Sequence, residues 1–98
     1  MFIIRDVFSC KPGEAKHLVK KFKAVAPHMN EFGATSTRIM TDAVADYWTV
    51  ILEIGVKSVG DWMDAMANAR NDDDERWAPM EGYMDHISGG RREIWRVE

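Results

Sequence analysis

The sequence has one cysteine, three prolines and no long apolar run. Cys10 alone cannot form an internal disulfide, and no Cys or His pair has the spacing of zinc ligands, so we expect a reducing, cytoplasmic setting and no metal site. No stretch approaches the roughly 18 apolar residues of a membrane span. Arg5 and Asp6 interrupt the start of the chain, where a signal peptide would need an apolar segment. We therefore expect a soluble protein with no membrane partner.

An excess of positive charge and the common catalytic motifs are also missing. Thirteen Lys and Arg residues against sixteen Asp and Glu give a formal net charge of −3, without a basic stripe, which argues against a nucleic-acid partner. There is no GxSxG, HExxH, phosphate-binding glycine loop or dinucleotide fingerprint, so the usual hydrolase, kinase and dehydrogenase classes lack support. The acidic run Asp72–Glu75 lacks the glycine and the spacing of a calcium loop, and we interpret it as a solvated helix start.

Four segments have the composition and the alternation of β-strands. They are Met1–Phe8, Ala34–Thr41, Tyr47–Val56 and Arg91–Val97. In the third segment the even-numbered positions are all apolar and should lie under helices, whereas the odd-numbered positions are mixed. The polar residues between the second and third segments predict a hairpin.

Apolar residues at intervals of three and four predict the helices. Pro27 lies near the end of the first helix and should distort its last turn or stop it early. The second helix should cover Val59–Arg70, with Ser58 as its N-cap. A short third helix is predicted within residues 77–87, closed by the pair Gly89–Gly90.

The order strand, helix, strand, strand, helix, strand predicts an α+β, ferredoxin-like βαββαβ fold, with residues 1–98 forming a single domain. In this fold an antiparallel four-stranded sheet carries both helices on one face. The other face would carry Ile3, Val7, Ile39 and Ile51, a patch too apolar to remain in water. We therefore predict a homodimer in which two sheets pair face to face around an enclosed space.

The chain resembles the dimeric α/β barrel superfamily over nearly its full length. The resemblance rests on the opening segment Phe2–Phe8, the Lys11–Gly13 turn into the first helix, Gly33 before the second strand, and Glu75–Pro79 before the last strand. The NIPSNAP-like and antibiotic-biosynthesis-monooxygenase-like branches are the most similar. The superfamily includes cofactor-free oxygenases, haem proteins, isomerases and proteins without known activity, so the resemblance implies a fold more than a reaction.

The haem chemistry of the superfamily does not carry over to this chain. Its haem-degrading members rely on an Asn in the first strand together with a Trp and a His in the second helical region. The first strand here has no Asn, and only Trp77 and His86 correspond to the other two residues. The single cysteine excludes an iron–sulfur ferredoxin as well. We therefore expect no cofactor.

Polar residues of the predicted sheet are the first ligand-binding candidates. Arg5, Tyr47, Thr49 and Glu53 fall on strand positions that would point into the space between paired sheets. Arg5 would hold an anion or a carbonyl group, and Glu53 would act as a base if burial raised its pKa. Alternatively, Arg5 and Glu53 form a structural ion pair or contact the partner chain.

Trp77 and His86 are the remaining candidates, as a pocket wall and as an acid/base or ligand. In the alternative interpretation the Trp belongs to the core and the His to the surface. Two functions stay open. One is a small-molecule-binding homodimer, acting as a cofactor-free oxygenase or isomerase on an apolar or aromatic compound. The other is a non-catalytic dimerisation module with a filled core between the sheets.

Overall fold

The computed structural model describes residues 1–98 and contains one four-stranded sheet and two α-helices. The strands are β1 (Phe2–Cys10), β2 (Ala34–Thr41), β3 (Thr49–Val56) and β4 (Ile87–Arg96), and the helices are α1 (Ala15–Val25) and α2 (Val59–Asn71). The strand order is β2, β3, β1, β4, and all neighbouring strands are antiparallel. The predicted ferredoxin-like fold, with both helices on one face of the sheet, is confirmed.

Strand β1 lies inside the sheet and pairs on both sides. Arg5 is opposite Glu53 of β3 and Glu93 of β4, whereas the next residue, Asp6, is opposite Arg92 of β4. Successive side chains of a strand point to opposite faces of its sheet. Each face of the sheet therefore receives one charged residue from the middle of β1.

The face of the sheet under the helices carries the hydrophobic core. Ile4, Val50 and Ile54 are almost completely buried there and belong to one cluster with Leu18 and Phe22 of α1. Burying an aliphatic or aromatic side chain of this size contributes roughly 1.5–3 kcal/mol. The even-numbered side of β3 is thus the helix-covered side, as the sequence predicts.

Local sequence signals set the ends of the helices. The Ser58 hydroxyl accepts a hydrogen bond from the backbone N–H of Asp61 at 3.2 Å, which confirms the predicted N-cap of α2. Helix α1 ends at Val25, and a 3₁₀ segment with Pro27 near its start follows. Gly33 then leaves that segment at a φ of 107°, a conformation that costs glycine little. No helix of the structure is both long and apolar enough to cross a membrane.

Several predicted boundaries are wrong. Strand β1 continues past Phe8 to Cys10, and β4 begins at Ile87 rather than at Arg91. Strand β3 begins at Thr49 rather than at Tyr47, because Trp48 takes a φ of 61° and interrupts the extended backbone. The predicted third helix is instead two 3₁₀ segments, Glu75–Met80 and Tyr83–His86. Periodicity over so few residues does not distinguish one α-helix from two tighter turns.

The pair Gly89–Gly90 also differs from the prediction, because it lies inside β4 rather than at the end of a helix. A Cβ atom on Gly90 would come within 2.8 Å of the carbonyl oxygen of Val7. A glycine at this position therefore permits close strand pairing and is not a stop signal.

The open face of the sheet, which carries no helix, has a different apolar residue from β2 than predicted. Ile39 is opposite Leu52 and packs against the core under the helices, so its placement on the open face was wrong. A register irregularity between Ala34 and Ser36 gives β2 this orientation. Met40, the next residue, is opposite Ile51 on the open face instead.

Candidate functional site

A partly enclosed cavity of about 90 Å³ lies between the sheet and the helices, and we call it the inner cavity. Strands β1 and β3 form its floor, the helices form its sides, and the two 3₁₀ segments after α2 cover it. Ten of its thirteen lining residues are hydrophobic, so its walls favour an apolar occupant. They are Phe8, Phe22, Met29, Leu52, Trp62, Met63, Met66, Trp77, Met80 and Tyr83.

Aromatic rings form much of this wall. The Phe8 ring lies 5.6 Å from the Phe22 ring and 6.4 Å from the Tyr83 ring, the latter in an edge-to-face arrangement. Such geometry is favourable for aromatic pairs. The methionines of the wall can adapt their shape to an occupant.

One ion pair lies at the edge of the inner cavity. Arg92 donates from Nε to Asp6 Oδ1 at 2.6 Å and from Nη2 to Asp6 Oδ2 at 3.1 Å. This bidentate pair raises the pKa of Arg92, chiefly through the hydrogen bond to Asp6. The third nitrogen, Nη1, lies 3.0 Å from the sulfur of Met63. The pair and Arg70 are therefore the polar part of the lining.

The open face carries a different arrangement, which we call the charge ladder: Arg38, Glu53, Arg5 and Glu93 in one row across the four strands. Arg5 donates to Glu53 Oε2 from Nη2 at 2.6 Å and from Nε at 3.0 Å. Arg38 donates to the other carboxylate oxygen of Glu53, and Glu93 Oε1 lies 4.0 Å from Arg5 Nη1. The charges alternate in sign along the row, so each one has an opposite neighbour.

The ladder changes the interpretation of Glu53. Its side chain is buried, but the hydrogen bond from Arg5 lowers its pKa, and Arg38 adds to this effect against the opposing effect of burial. The condition under which Glu53 would act as a base, a raised pKa, is therefore not met. The alternative, in which Arg5 and Glu53 form an ion pair, describes the observed geometry.

A shallow depression of about 490 Å³ surrounds the ladder and is bordered by Ile3 and Trp95. The Trp95 indole N–H donates to Glu93 at 3.1 Å, and this bond is the main cause of the lowered pKa of Glu93. The Trp95 side chain is nevertheless 57% exposed. The open face thus combines satisfied charges with uncovered apolar surface.

Tyr47 does not lie on the sheet. It belongs to the connection between β2 and β3 and is 86% exposed, so the strand position predicted for it was wrong. Thr49 is the first residue of β3, and its hydroxyl donates to the carbonyl of Asp46 at 2.7 Å. Because of that bond and the positive φ of Trp48, Tyr47 and Trp48 are not part of the strand that the sequence pattern predicts.

Trp77 and His86 are placed in different surroundings. Trp77 lines the inner cavity, whereas His86 lies beside α1, where its Nδ1 is 2.8 Å from Glu14 Oε2 and its ring stacks on His17 at 5.2 Å. The structure therefore brings together Arg5 and Glu53 on the open face. The other candidates, Trp77, His86 and Tyr47, lie apart from that pair and from one another.

Other chemically reactive residues have structural surroundings. Burial, with a smaller contribution from Glu14, raises the pKa of Cys10 and keeps its thiol unreactive. The guanidinium of Arg76 donates to Asp74, and the backbone N–H of Arg76 does so as well; these two bonds lower the pKa of Asp74 to about 2. The acidic run therefore begins a 3₁₀ segment. No group of three or more His, Cys, Asp or Glu side chains is arranged to hold a metal ion.

The sequence reasoning missed Asp6, Arg92 and Tyr83. A signal for Asp6 was present, because it is the one charged residue on the even-numbered side of β1. Its pairing with Arg92 joins residues 86 positions apart and depends on the register of β1 with β4, which the sequence does not give.

Comparison with solved structures finds this fold in several proteins. An uncharacterised NIPSNAP domain protein from Burkholderia xenovorans has a TM-score of 0.76 and 9% identity, over 100% of this chain and 95% of that one. A NIPSNAP family protein from Agrobacterium tumefaciens has a TM-score of 0.76 and 16% identity, over 99% and 92%. A Nitrosomonas europaea protein, proposed to be an antibiotic biosynthesis monooxygenase, has a TM-score of 0.77 and 13% identity, over 99% and 98%.

Sequence comparison adds no family to these structural similarities. No family model matches the sequence, and no curated protein matches it significantly. At identities this low, the structural similarity establishes a shared fold and does not transfer a reaction. The resemblance to NIPSNAP-like and antibiotic-biosynthesis-monooxygenase-like domains is thus confirmed at the level of the fold.

Proposed function

We propose that this protein is a homodimer that binds an apolar or aromatic small molecule in the inner cavity. The observation that carries this proposal is the Asp6–Arg92 pair at the edge of an aromatic-lined space. Core packing alone gives no reason for it, since apolar side chains of similar volume are often at least as stabilising as a partly buried ion pair. A few polar groups converging on an apolar cavity are typical of ligand sites.

The pair suits proton transfer to and from a weakly acidic ligand. Two arginines hold Glu53, whereas Asp6 has the single partner Arg92. When Arg92 turns to a ligand oxygen, Asp6 would accept a proton from carbon, and the guanidinium of Arg92 would stabilise the oxyanion that forms. Returning the proton to a different carbon completes an isomerisation. Alternatively, the carbanion adds to molecular oxygen; cleavage of the O–O bond then leaves a carbonyl group and releases water. Both reactions balance without a cofactor, and the second is in line with the monooxygenase activity proposed for the Nitrosomonas protein.

The second copy would cover the open face of the sheet. Val7, Ile51 and Met40 lie in one row beside the charge ladder, and they form an apolar strip. Because the ladder alternates in sign, a copy related by a two-fold axis can place each arginine near a carboxylate of its partner. Apolar contact and charge complementarity therefore both favour self-association through this face.

Thermal unfolding with a panel of aromatic and quinol compounds tests ligand binding. A compound that binds should raise the melting temperature by roughly 10 °C at a hundredfold excess over its Kd. Arg92→Met should abolish this rise. Arg96→Met is the matched control, because Arg96 lies on the same face of β4 over the Phe2 ring but does not line the cavity. No rise with any compound in the unaltered protein would overturn the proposal.

Turnover is tested with the compounds that bind, by oxygen consumption and by chromatographic detection of isomers. Asp6→Asn should retain binding and lose turnover, because the amide keeps a similar shape but cannot accept the proton. Equal turnover by Asp6→Asn and the unaltered protein would contradict the role assigned to Asp6.

A non-catalytic dimerisation module is the second candidate. It is favoured by the charge ladder, in which each charge already has an opposite neighbour within the chain. This candidate predicts the same dimer in sedimentation but no stabilisation by any compound, so the ligand panel separates the two.

A further inference from the structure

A surface groove of about 570 Å³ lies directly beside the inner cavity. Four residues form part of the wall of both spaces: Arg70, Trp77, Met80 and Tyr83. The rest of the groove is formed by the end of α2 and the two 3₁₀ segments, and more than half of its lining residues are hydrophobic. The groove and the inner cavity are therefore separated by one layer of side chains.

We infer that the groove and the inner cavity are two halves of one binding site for an elongated alkyl-aromatic molecule, with its ring in the cavity and its tail in the groove. This inference rests on the proposed function. The inner cavity alone is about 90 Å³, smaller than the roughly 150 Å³ engineered cavity that binds benzene. Even a single ring must therefore push the shared wall toward the groove. Joined, the two spaces reach the roughly 300–1,000 Å³ usual for ligand pockets.

The shared wall is built from parts that can move at low cost. Trp77 and Tyr83 are both half-buried and belong to 3₁₀ segments, whose hydrogen bonds are poorer than those of an α-helix. Gly82 separates the two segments at a φ of 79°. Displacement of these two side chains would open the wall without movement of the sheet. The rest of the wall is Arg70 of α2 and the buried Met80.

The polarity of the combined site sets the orientation of the ligand. The Asp6–Arg92 pair lies on the cavity side and does not line the groove, so a ring hydroxyl or carbonyl should point toward that pair. Asp73, Asp74 and Glu81 also line the groove, so an alkyl tail would lie along its apolar part. The exposed Ala78 and Met84 side chains belong to that part. A phenol with a para-alkyl chain has both features and serves as a probe.

The test compares 4-methylphenol with 4-butylphenol by isothermal titration calorimetry. If the tail enters the groove, the butyl compound should bind at least fivefold more tightly, because buried methylene groups add affinity. Ala78→Trp narrows the groove and lines no part of the inner cavity, so it should weaken 4-butylphenol more than 4-methylphenol and thereby remove this advantage. Ala24→Trp, an exposed change on α1, is the matched control and should preserve the advantage.

The possible results separate the two proposals. If both phenols bind equally, or if the advantage of the butyl compound survives Ala78→Trp, the single continuous site is overturned while ligand binding in the inner cavity stands. If neither phenol binds and no compound of the wider panel does, the proposed function and this inference both fail. If Ala24→Trp and Ala78→Trp remove the advantage equally, the effect does not come from the groove, and the inference is overturned.

Discussion

The two faces of the sheet carry the same chemical unit, an arginine paired with a carboxylate, in different settings. On the helix-covered face, Asp6 and Arg92 lie against an aromatic-lined cavity. On the open face, Arg5 and Glu53 belong to a row of alternating charges. Arg5 and Asp6 are neighbours in sequence, so strand alternation alone separates them. The comparison shows that the surroundings, rather than the residue types, distinguish a candidate ligand anchor from a candidate interface element.

The largest effect should come from a charge placed in the apolar strip of the open face. Ile51→Glu would bury a carboxylate without a partner between two sheets, so we expect dimer dissociation to become roughly 100-fold easier. Sedimentation equilibrium measures this change, and circular dichroism checks that the variant is folded. Ala24→Glu adds the same charge to an exposed position of α1 and should leave the dimer intact. Equal dissociation of both variants would argue against an interface on the open face.

Removing one carboxylate from each face sharpens the comparison. Glu53→Gln leaves both Arg5 and Arg38 without their shared partner and should lower the free energy of unfolding by about 2 kcal/mol. Asp6→Asn leaves only Arg92, which is partly exposed and can turn to water, so the loss should be about 1 kcal/mol. Urea unfolding at one protein concentration gives both values. A larger loss for Asp6→Asn would reverse the structural ranking of the two pairs.

The ladder should make stability depend on pH in the acid range. The folded-state pKa of Glu53 lies below its ordinary value of 4.5, so its contribution is complete above 4.5 and is lost as pH falls through the folded-state pKa. Glu93 is shifted in the same direction. Melting temperatures from about pH 6 to about pH 2.5 should fall steeply for the unaltered protein and less steeply for Glu53→Gln. An equally steep fall of the melting temperature in both proteins would contradict a contribution of Glu53 to stability.

The smallest effect should follow from His86→Asn. The contact of His86 with Glu14 is partly exposed, so its loss should cost less than about 1 kcal/mol and should not change ligand binding. Thermal unfolding with and without 4-methylphenol measures both. A loss of binding comparable to that of Arg92→Met would restore His86 as a ligand-site residue.

Most of the fold could be predicted because buried positions recur at regular intervals along the sequence and are occupied by apolar residues. The apolar even-numbered positions of β3 identify its helix-covered side, and the Ser58 cap marks the start of α2. Single-residue backbone conformations are invisible to such patterns. Because Trp48 has a positive φ, β3 begins at Thr49 and not at Tyr47. Because of the irregularity after Ala34, Ile39 lies on the helix-covered face and not on the open face.

The candidate site could be predicted only in part, because it depends on contacts between distant segments. Trp77 was identified, and Asp6 was recognisable as a charge on an apolar strand face. Its partner Arg92 becomes visible only when the two ends of the chain are aligned in the sheet. The pairing of Arg5 with Glu53 likewise depends on the register of β1 with β3. This pairing is the main reason why the pKa of Glu53 is lowered.

The four tryptophans provide one measurement that reports on both faces at once. Trp62 and Trp77 line the inner cavity, Trp95 lies on the open face, and Trp48 belongs to the exposed hairpin connection. In nuclear magnetic resonance spectra of ¹⁵N-labelled protein titrated with 4-methylphenol, the account predicts that the indole signals of Trp62 and Trp77 shift while the other two stay unchanged. A shift of Trp95 with Trp62 and Trp77 unchanged would place the ligand on the open face and contradict it.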